Sequence, residues 1–177
     1  MVWTLDPSHS EVTFSVRHMM LSKVTGNFNV FKATFEIDED HPENSWVEAE
    51  VETGSISTRE EKRDAHLRSP DFFDAEQYPL LTFKSKKVEP KGDHNYRVLG
   101  DLTLHGTTKE VAFEVLYGGQ ISKEHNPYRD RRAGLCAVTT INRKDFGLTW
   151  NFTLETGSVL VGEEVRIEIN LQAITEN

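Results

Sequence analysis

The sequence predicts a mainly β domain in which about eight antiparallel strands form a closed or nearly closed barrel. Three observations support this class. Apolar and polar residues alternate with a period of two in about eight segments, glycine-containing turns join some of these segments, and one helical stretch interrupts them. A barrel of about eight strands is just wide enough to be packed solid or to hold one small ligand. The functional question is therefore whether its interior is filled or hollow.

Residues 11–18 form the first candidate strand. Val12, Phe14, Val16 and His18 share one face of it, and polar side chains occupy the other face. The later segments alternate in the same way, so each has one apolar face that a barrel would turn inward. The expected strands cover residues 11–18, 28–37, 47–52, 81–85, 96–104, 111–117, 135–141 and 165–173.

Two short connections predict an antiparallel arrangement of neighbouring strands. Residues 91–95 and residues 105–109 each contain glycine, and the first connection adds Asp93 and Asn95. Tight turns favour these residue types. Short turns join strands that run in opposite directions.

A segment between the third and fourth strands breaks the alternation and predicts two short helices. The run Ser57-Thr58-Arg59-Glu60-Glu61 contains two overlapping capping boxes, which predict a helix over residues 57–67. Ser69-Pro70-Asp71 is a second helix start, with proline at the first helical position, and predicts a helix over residues 70–76. We expect this short helical insert to cover one end of the barrel.

Composition narrows the function classes. The chain has 177 residues, with 29 acidic and 20 basic side chains and a net charge of −9. Such a chain is a poor candidate for binding nucleic acid or an anionic membrane by charge alone. No stretch approaches the roughly 20 apolar residues of a transmembrane helix. The first residues show no secretory signal pattern, so we expect a cytoplasmic location.

Several short motifs occur in order along nearly the whole chain. The first is Trp3-Thr4-Leu5-Asp6-Pro7-Ser8-His9-Ser10, followed by Val12-x-Phe14-x-Val16-x-His18. The others are Thr25-Gly26-Asn27-Phe28, Ser55-Ile56-Ser57-Thr58, Arg63-Asp64-x-His66-Leu67-Arg68-Ser69-x-Asp71-Phe72-Phe73-Asp74, Gly100-Asp101-Leu102-Thr103-x-His105-Gly106 and Ile141-Asn142-Arg143-x-Asp145-Phe146-Gly147-Leu148. Taken together they resemble the YceI family, so we treat residues 1–177 as one YceI-like domain.

The resemblance implies a lipocalin-like antiparallel barrel. It further implies that the interior binds a long isoprenoid or another amphiphilic lipid, which the protein carries or stores, often as a homodimer. Many family members are periplasmic, so the expected cytoplasmic location departs from theirs.

Aromatic side chains are the main candidates for a ligand site, with ordinary core packing as the alternative. An alkyl ligand gains about 0.8 kcal/mol per buried CH₂, so an apolar tunnel needs no catalytic group and no cofactor. His18 is a candidate for contact with a lipid head group at a barrel mouth, or for an internal hydrogen bond. The expected ligand-binding residues are Phe14, Val16, His18, Phe31, Phe35, Phe72, Phe73, Phe83, Leu102, Phe113, Trp150, Phe152 and Ile167.

Two other function classes stay open at this point. One is an enzyme that uses His18 or His66 as an acid or base. The other is a stress-related interaction protein with a filled barrel. The histidines have no tight metal-ligand spacing, so we expect no metal site. Arg63, Arg68 and Arg143 are suited to pairing with an anionic head group or with neighbouring carboxylates.

Overall fold

Alternating apolar and polar side chains give one continuous antiparallel sheet in the computed structural model, which describes residues 1–175. One α-helix, α1 (Glu61–Arg68), is present in this part of the chain. The strands are β1 (Val2–Leu5), β2 (Glu11–His18), β3 (Ser22–Phe28), β4 (Phe31–Glu36), β5 (Trp46–Glu52), β6 (Ile56–Ser57), β7 (Leu80–Gly92), β8 (Asn95–Leu104), β9 (Thr107–Ile121), β10 (Arg131–Asn142) and β11 (Val161–Thr175).

The sheet closes into a barrel because β1 pairs with both β4 and β11. Three pairs of short strands, β1 with β2, β3 with β4 and β5 with β6, each act as one interrupted strand. Counted in this way, the barrel has eight antiparallel strands, and the predicted fold class is confirmed. Closure removes the unpaired strand edges that an open sheet exposes.

The interruption between β1 and β2 is a single 3₁₀ turn, Pro7–His9. Asp6 caps this turn by accepting a hydrogen bond from the backbone N–H of Ser8, and Pro7 suits the first position because it has no N–H to lose. Before the turn, the N–H of Asp6 donates to the carbonyl of Gln172 in β11, and after the turn Glu11 pairs with Asn170 of the same strand. A single strand, β11, thus pairs with both β1 and β2.

Three strands were not expected from the sequence: β1, β3 and the two-residue β6. β1 has four residues, too few to establish a period. β3 carries polar residues at most positions and Gly26 in its interior. A Cβ at Gly26 would lie 2.5 Å from Cζ of Phe14, so this position has room for glycine alone while the aromatic ring stays in place. The single strand expected over residues 28–37 corresponds to the last residue of β3 together with β4.

The helical insert begins later than predicted. Glu60 is the N-cap of α1, and its carboxylate accepts hydrogen bonds from the backbone N–H groups of Lys62 and Arg63. The predicted capping box is wrong, because the Thr58 hydroxyl instead donates a 2.6 Å hydrogen bond to the buried carboxylate of Asp64. This contact ties the helix to β6 rather than starting it.

The second predicted helix, over residues 70–76, is absent. The backbone makes a series of turns there, in which the N–H of Phe73 donates to the carbonyl of Leu67 and Asp74 adopts a φ of +46°. A left-handed residue cannot continue an α-helix. The turns give the two side chains different aromatic neighbours, Trp150 for Phe72 and Phe28 for Phe73.

Candidate functional site

The inward side chains of the barrel leave a cavity between them. The cavity has a volume of about 210 Å³. In the same measure, about 10–15 Å³ is enough to hold one water molecule. The wall is almost entirely apolar. The barrel is therefore hollow, and we call this cavity the tunnel.

Aromatic rings from neighbouring strands form much of the tunnel wall. Phe83 of β7 and Phe113 of β9 meet edge to face, with 5.1 Å between their ring centroids. Gly100 of β8 lies between them in the sheet, and a Cβ there would lie 2.5 Å from both Cζ of Phe83 and the carbonyl oxygen of Lys84. The absence of a side chain at Gly100 therefore leaves the space that the Phe83 ring occupies.

One end of the barrel is closed by a plug of packed side chains. His66, Phe72 and Trp150 bring three rings together, with centroid distances of 4.7 to 5.3 Å. Phe146 and Leu148 are buried beneath them at 1% and 4% exposure. None of these five residues lines the tunnel. The helical insert supplies part of this plug, as expected.

Arg143 holds the loop that contributes Phe146, Leu148 and Trp150 to the plug. Its guanidinium is buried and donates hydrogen bonds to the carbonyls of Leu148 at 2.6 Å, Gly162 at 2.8 Å and Trp150 at 2.9 Å. Burial lowers the pKa of Arg143, but guanidinium remains protonated in proteins. Its role here is to satisfy backbone acceptors.

The other two candidate arginines are also committed to the fold. Arg63 donates to the side-chain and backbone oxygens of Thr58, each at 2.7 Å. Arg68 donates to the carbonyl of Gly54 at 3.0 Å. Neither lines the tunnel, so the structure does not bring the predicted cations to a ligand head group.

The tunnel reaches the end of the barrel opposite the plug, where the loop between β4 and β5 lies. Glu36, Asp38 and Ser45 contribute to the wall there. An open polar depression adjoins this end and is bounded by Met1, Glu36, Ile37, Asp38, Glu39, Asp40, Asn44 and Gln120. We call this end the acidic rim.

Hydrogen bonds fix the ionisation of the rim residues. The backbone N–H of His41 donates to Asp38 at 2.8 Å and lowers the pKa of that carboxyl. The terminal ammonium of Met1 pairs with Glu36 and lowers its pKa as well. Tyr117 has the opposite shift, because burial and its 2.9 Å hydrogen bond to Glu39 raise the pKa of the phenol. Glu36 and Asp38 therefore stay charged, and the Tyr117 phenol stays neutral, near pH 7.

Seven of the thirteen expected ligand-binding residues line the tunnel: Phe14, Phe31, Phe35, Phe83, Leu102, Phe113 and Ile167. Six do not. Phe72 and Trp150 belong to the plug, and Phe73 packs edge to face on Phe28. Val16 and His18 lie towards the plug end of β2, and Phe152 is 60% exposed on the surface.

Other wall residues, among them Tyr96 and Tyr117, were not predicted as ligand-binding residues. Alternation places Tyr117 on the same face of β9 as Phe113, so the signal was available. Glu36 and Asp38 had no comparable signal, because their position at the rim depends on where the strands end.

The histidines considered for catalysis lie apart from the tunnel. The His66 ring bonds to Asp71 at 2.8 Å and packs against Trp150. His18 ends β2 at the plug end, so it does not meet a head group at the acidic rim. Within residues 1–175, no three His, Cys, Asp or Glu side chains are grouped closely enough to hold a metal ion.

An apolar tunnel inside an eight-stranded antiparallel barrel defines a lipocalin-like protein. The chain belongs to the YceI family, since the model of the YceI-like domain matches residues 3–173. A UPF0312 protein of Staphylococcus aureus is 36% identical over 171 residues, which cover 96% of this chain and 95% of that protein. In the described residues, no helix has the length and apolar character needed to cross a membrane.

Solved structures share this fold. BcnA of Burkholderia cenocepacia superposes with a TM-score of 0.83 at 23% identity, covering 95% of this chain and 98% of BcnA. The YceI protein of Campylobacter jejuni gives 0.75 at 26% identity, covering 91% and 90%. A polyisoprenoid-binding domain from Saccharophagus degradans gives 0.69 at 14% identity, covering 98% of each chain.

Proposed function

We propose that this protein binds a long-chain isoprenoid or a similar amphiphilic lipid in the tunnel and carries or stores it without catalysing a reaction. The observation that supports this most directly is the hollow, almost entirely apolar interior. Burying an alkyl chain in such a space contributes about 0.8 kcal/mol per CH₂, so a tunnel alone provides substantial affinity. The YceI family and the polyisoprenoid-binding domain of similar fold agree with this choice of ligand.

Two further properties are part of the proposal. Met19, Met20 and Leu21 form an exposed apolar hairpin tip, and Leu21 is 83% exposed, which suits contact with a second copy of the chain in a homodimer. The cytoplasmic location expected from the sequence stays a prediction, which fractionation of the native host would test.

Native mass spectrometry combined with organic extraction tests the binding proposal. Protein purified without detergent is expected to retain an apolar molecule. In Phe14→Trp the larger indole occupies tunnel volume, so less lipid should be retained, although overpacking also costs about 1–3 kcal/mol of stability. Leu116→Trp is the matched control, because Leu116 does not line the tunnel and is 51% exposed.

The outcomes separate the function classes. Unchanged lipid content in a folded Phe14→Trp protein would mean that no ligand passes Phe14. A protein that neither retains an apolar molecule nor takes one up would count against the carrier and favour an interaction protein. Chemical turnover of a bound lipid that depends on His18 or His66 would favour an enzyme.

A further inference from the structure

The tunnel and the polar depression beside it form one amphiphilic path. They share Glu36, Ile37 and Asp38, so the apolar wall passes directly into the acidic rim. At the opposite end the plug of aromatic rings separates the tunnel from solvent. A lipid whose tail fills the tunnel therefore places its head group at the rim.

The rim carries a net negative charge. Four carboxylates bound the depression, those of Glu36, Asp38, Glu39 and Asp40. The terminal ammonium offsets Glu36. Glu39 accepts hydrogen bonds from uncharged donors, the Tyr117 hydroxyl and the Gln120 amide, so its charge is solvated but not cancelled.

Few cations are placed to reverse this balance. Arg131 approaches the depression by donating to the Gln120 amide oxygen at 3.2 Å and to the Met1 sulfur at 3.5 Å. The ring of His41 lies 3.8 Å from Asp38 and its side chain is 66% exposed. Lys32 lines the tunnel but pairs with Glu50 at 2.8 Å on the outer face.

Building on the proposed lipid-binding function, we infer that the tunnel takes an amphiphile with an uncharged or cationic head group and discriminates against phosphate and diphosphate heads. A prenyl alcohol or amine meets hydrogen-bond acceptors at the rim. A diphosphate meets carboxylates there, and none of the described residues that bound the depression is an arginine, the residue that usually binds such a group.

Three probes with the same tail test this inference: geranylgeraniol, geranylgeranylamine and geranylgeranyl diphosphate. Their dissociation constants are measured on the intact protein by tryptophan fluorescence, since Trp46 lies at the rim end of the tunnel. At low salt the diphosphate should bind about tenfold or more weakly than the alcohol. High salt should reduce this difference, because it screens exposed charges.

A neutralised rim supplies the second arm of the experiment. The variant Asp38→Asn, Glu39→Gln, Asp40→Asn keeps side-chain size and the acceptor oxygens. It should lose most of the discrimination, measured as the ratio of the diphosphate and alcohol dissociation constants within this variant. The control Glu61→Gln, Asp145→Asn, Glu155→Gln changes net charge equally on three exposed residues outside the rim and should keep the discrimination.

The results separate the two proposals. If no probe binds, the proposed function fails and this inference fails with it. If the alcohol binds but the diphosphate binds equally well or more tightly, the tunnel stands and the head-group inference is overturned. Discrimination that survives in the neutralised rim also overturns it.

Discussion

Arg143 shows how one side chain can organise a segment without regular secondary structure. The 3₁₀ turn Arg143–Phe146 and the loop after it lie outside the strands, yet they hold buried Phe146 and Leu148 over the end of the barrel. A planar guanidinium has five donors and here bonds four carbonyls, whereas an ammonium group has only three donors. The residue is therefore structural, although its type also suits anion binding.

Replacing Arg143 by Met should lower the free energy of unfolding by about 3 kcal/mol, because buried carbonyls lose their donors. Arg143→Lys should give a smaller loss. Urea denaturation followed by tryptophan fluorescence measures both. A change below about 0.5 kcal/mol in Arg143→Met, the range usual for exposed surface sites, would contradict this role.

At the scale of the element, the hairpin between β2 and β3 has an unusual turn. Met19 and Met20 adopt φ values of 53° and 59°, and the N–H of Leu21 donates to the carbonyl of His18 at 3.0 Å. This geometry is that of a type I′ turn, which strongly favours Asn-Gly. Two left-handed methionines cost stability, and their exposed side chains recover none of it within the barrel.

Met19→Asn combined with Met20→Gly should raise the free energy of unfolding by about 1 kcal/mol, because the new residues tolerate positive φ. Thermal and urea denaturation measure the gain. If the tip joins two copies of the chain, light scattering should also show weaker self-association. Equal stability and unchanged self-association would mean that the turn carries neither cost nor contact.

At the scale of the whole molecule, the pairing of β1 with β11 adds a short seam to the longer pairing of β2 with β11. β1 and β11 are joined through Thr4 with Ile174 and Leu5 with Ala173. Asp6 extends this seam, since its carboxylate accepts from the Ser8 hydroxyl at 2.6 Å, bonds the His9 ring and pairs with Arg132 of β10 at 2.8 Å. The hydrogen bond from Ser8, helped by those from His9 and Arg132, holds the pKa of Asp6 well below its usual range despite burial.

A lowered pKa of Asp6 makes closure sensitive to acid. In the unfolded chain Asp titrates near pH 4, so the stabilisation is complete above that pH and is lost as the pH falls towards the lower folded pKa. Asp6→Asn should be less stable than the wild type at pH 7, with a smaller loss of unfolding free energy between about pH 5 and pH 3. Asp145→Asn, at an exposed position, should keep the wild-type slope. Parallel slopes in Asp6→Asn and the wild type would exclude this contribution.

The sequence predicts which face of a strand turns inward better than it predicts how far along the barrel a residue lies. Period two places Phe14 and Val16 on the same face of one strand, but of these two only Phe14 lines the tunnel. The position of a residue along the barrel axis depends on strand register and on loops such as the one that Arg143 holds. Neither can be read from a short sequence pattern. The second helix failed for a related reason, because Asp74 turns the chain where proline and capping residues predicted continuation.

The aromatic plug gives the barrel a floor. A barrel that is closed at one end and open at the other accommodates a tail of limited length. A tail that is too short would draw its head below the rim, where the wall offers almost no hydrogen-bond partners, and the cost of stripping water from that head would weaken binding. A tail that is too long would leave methylene groups in water. If the barrel carries a lipid as proposed, the depth at which Phe72 and Trp150 close it sets the preferred tail length, and no residue has to recognise the end of the tail.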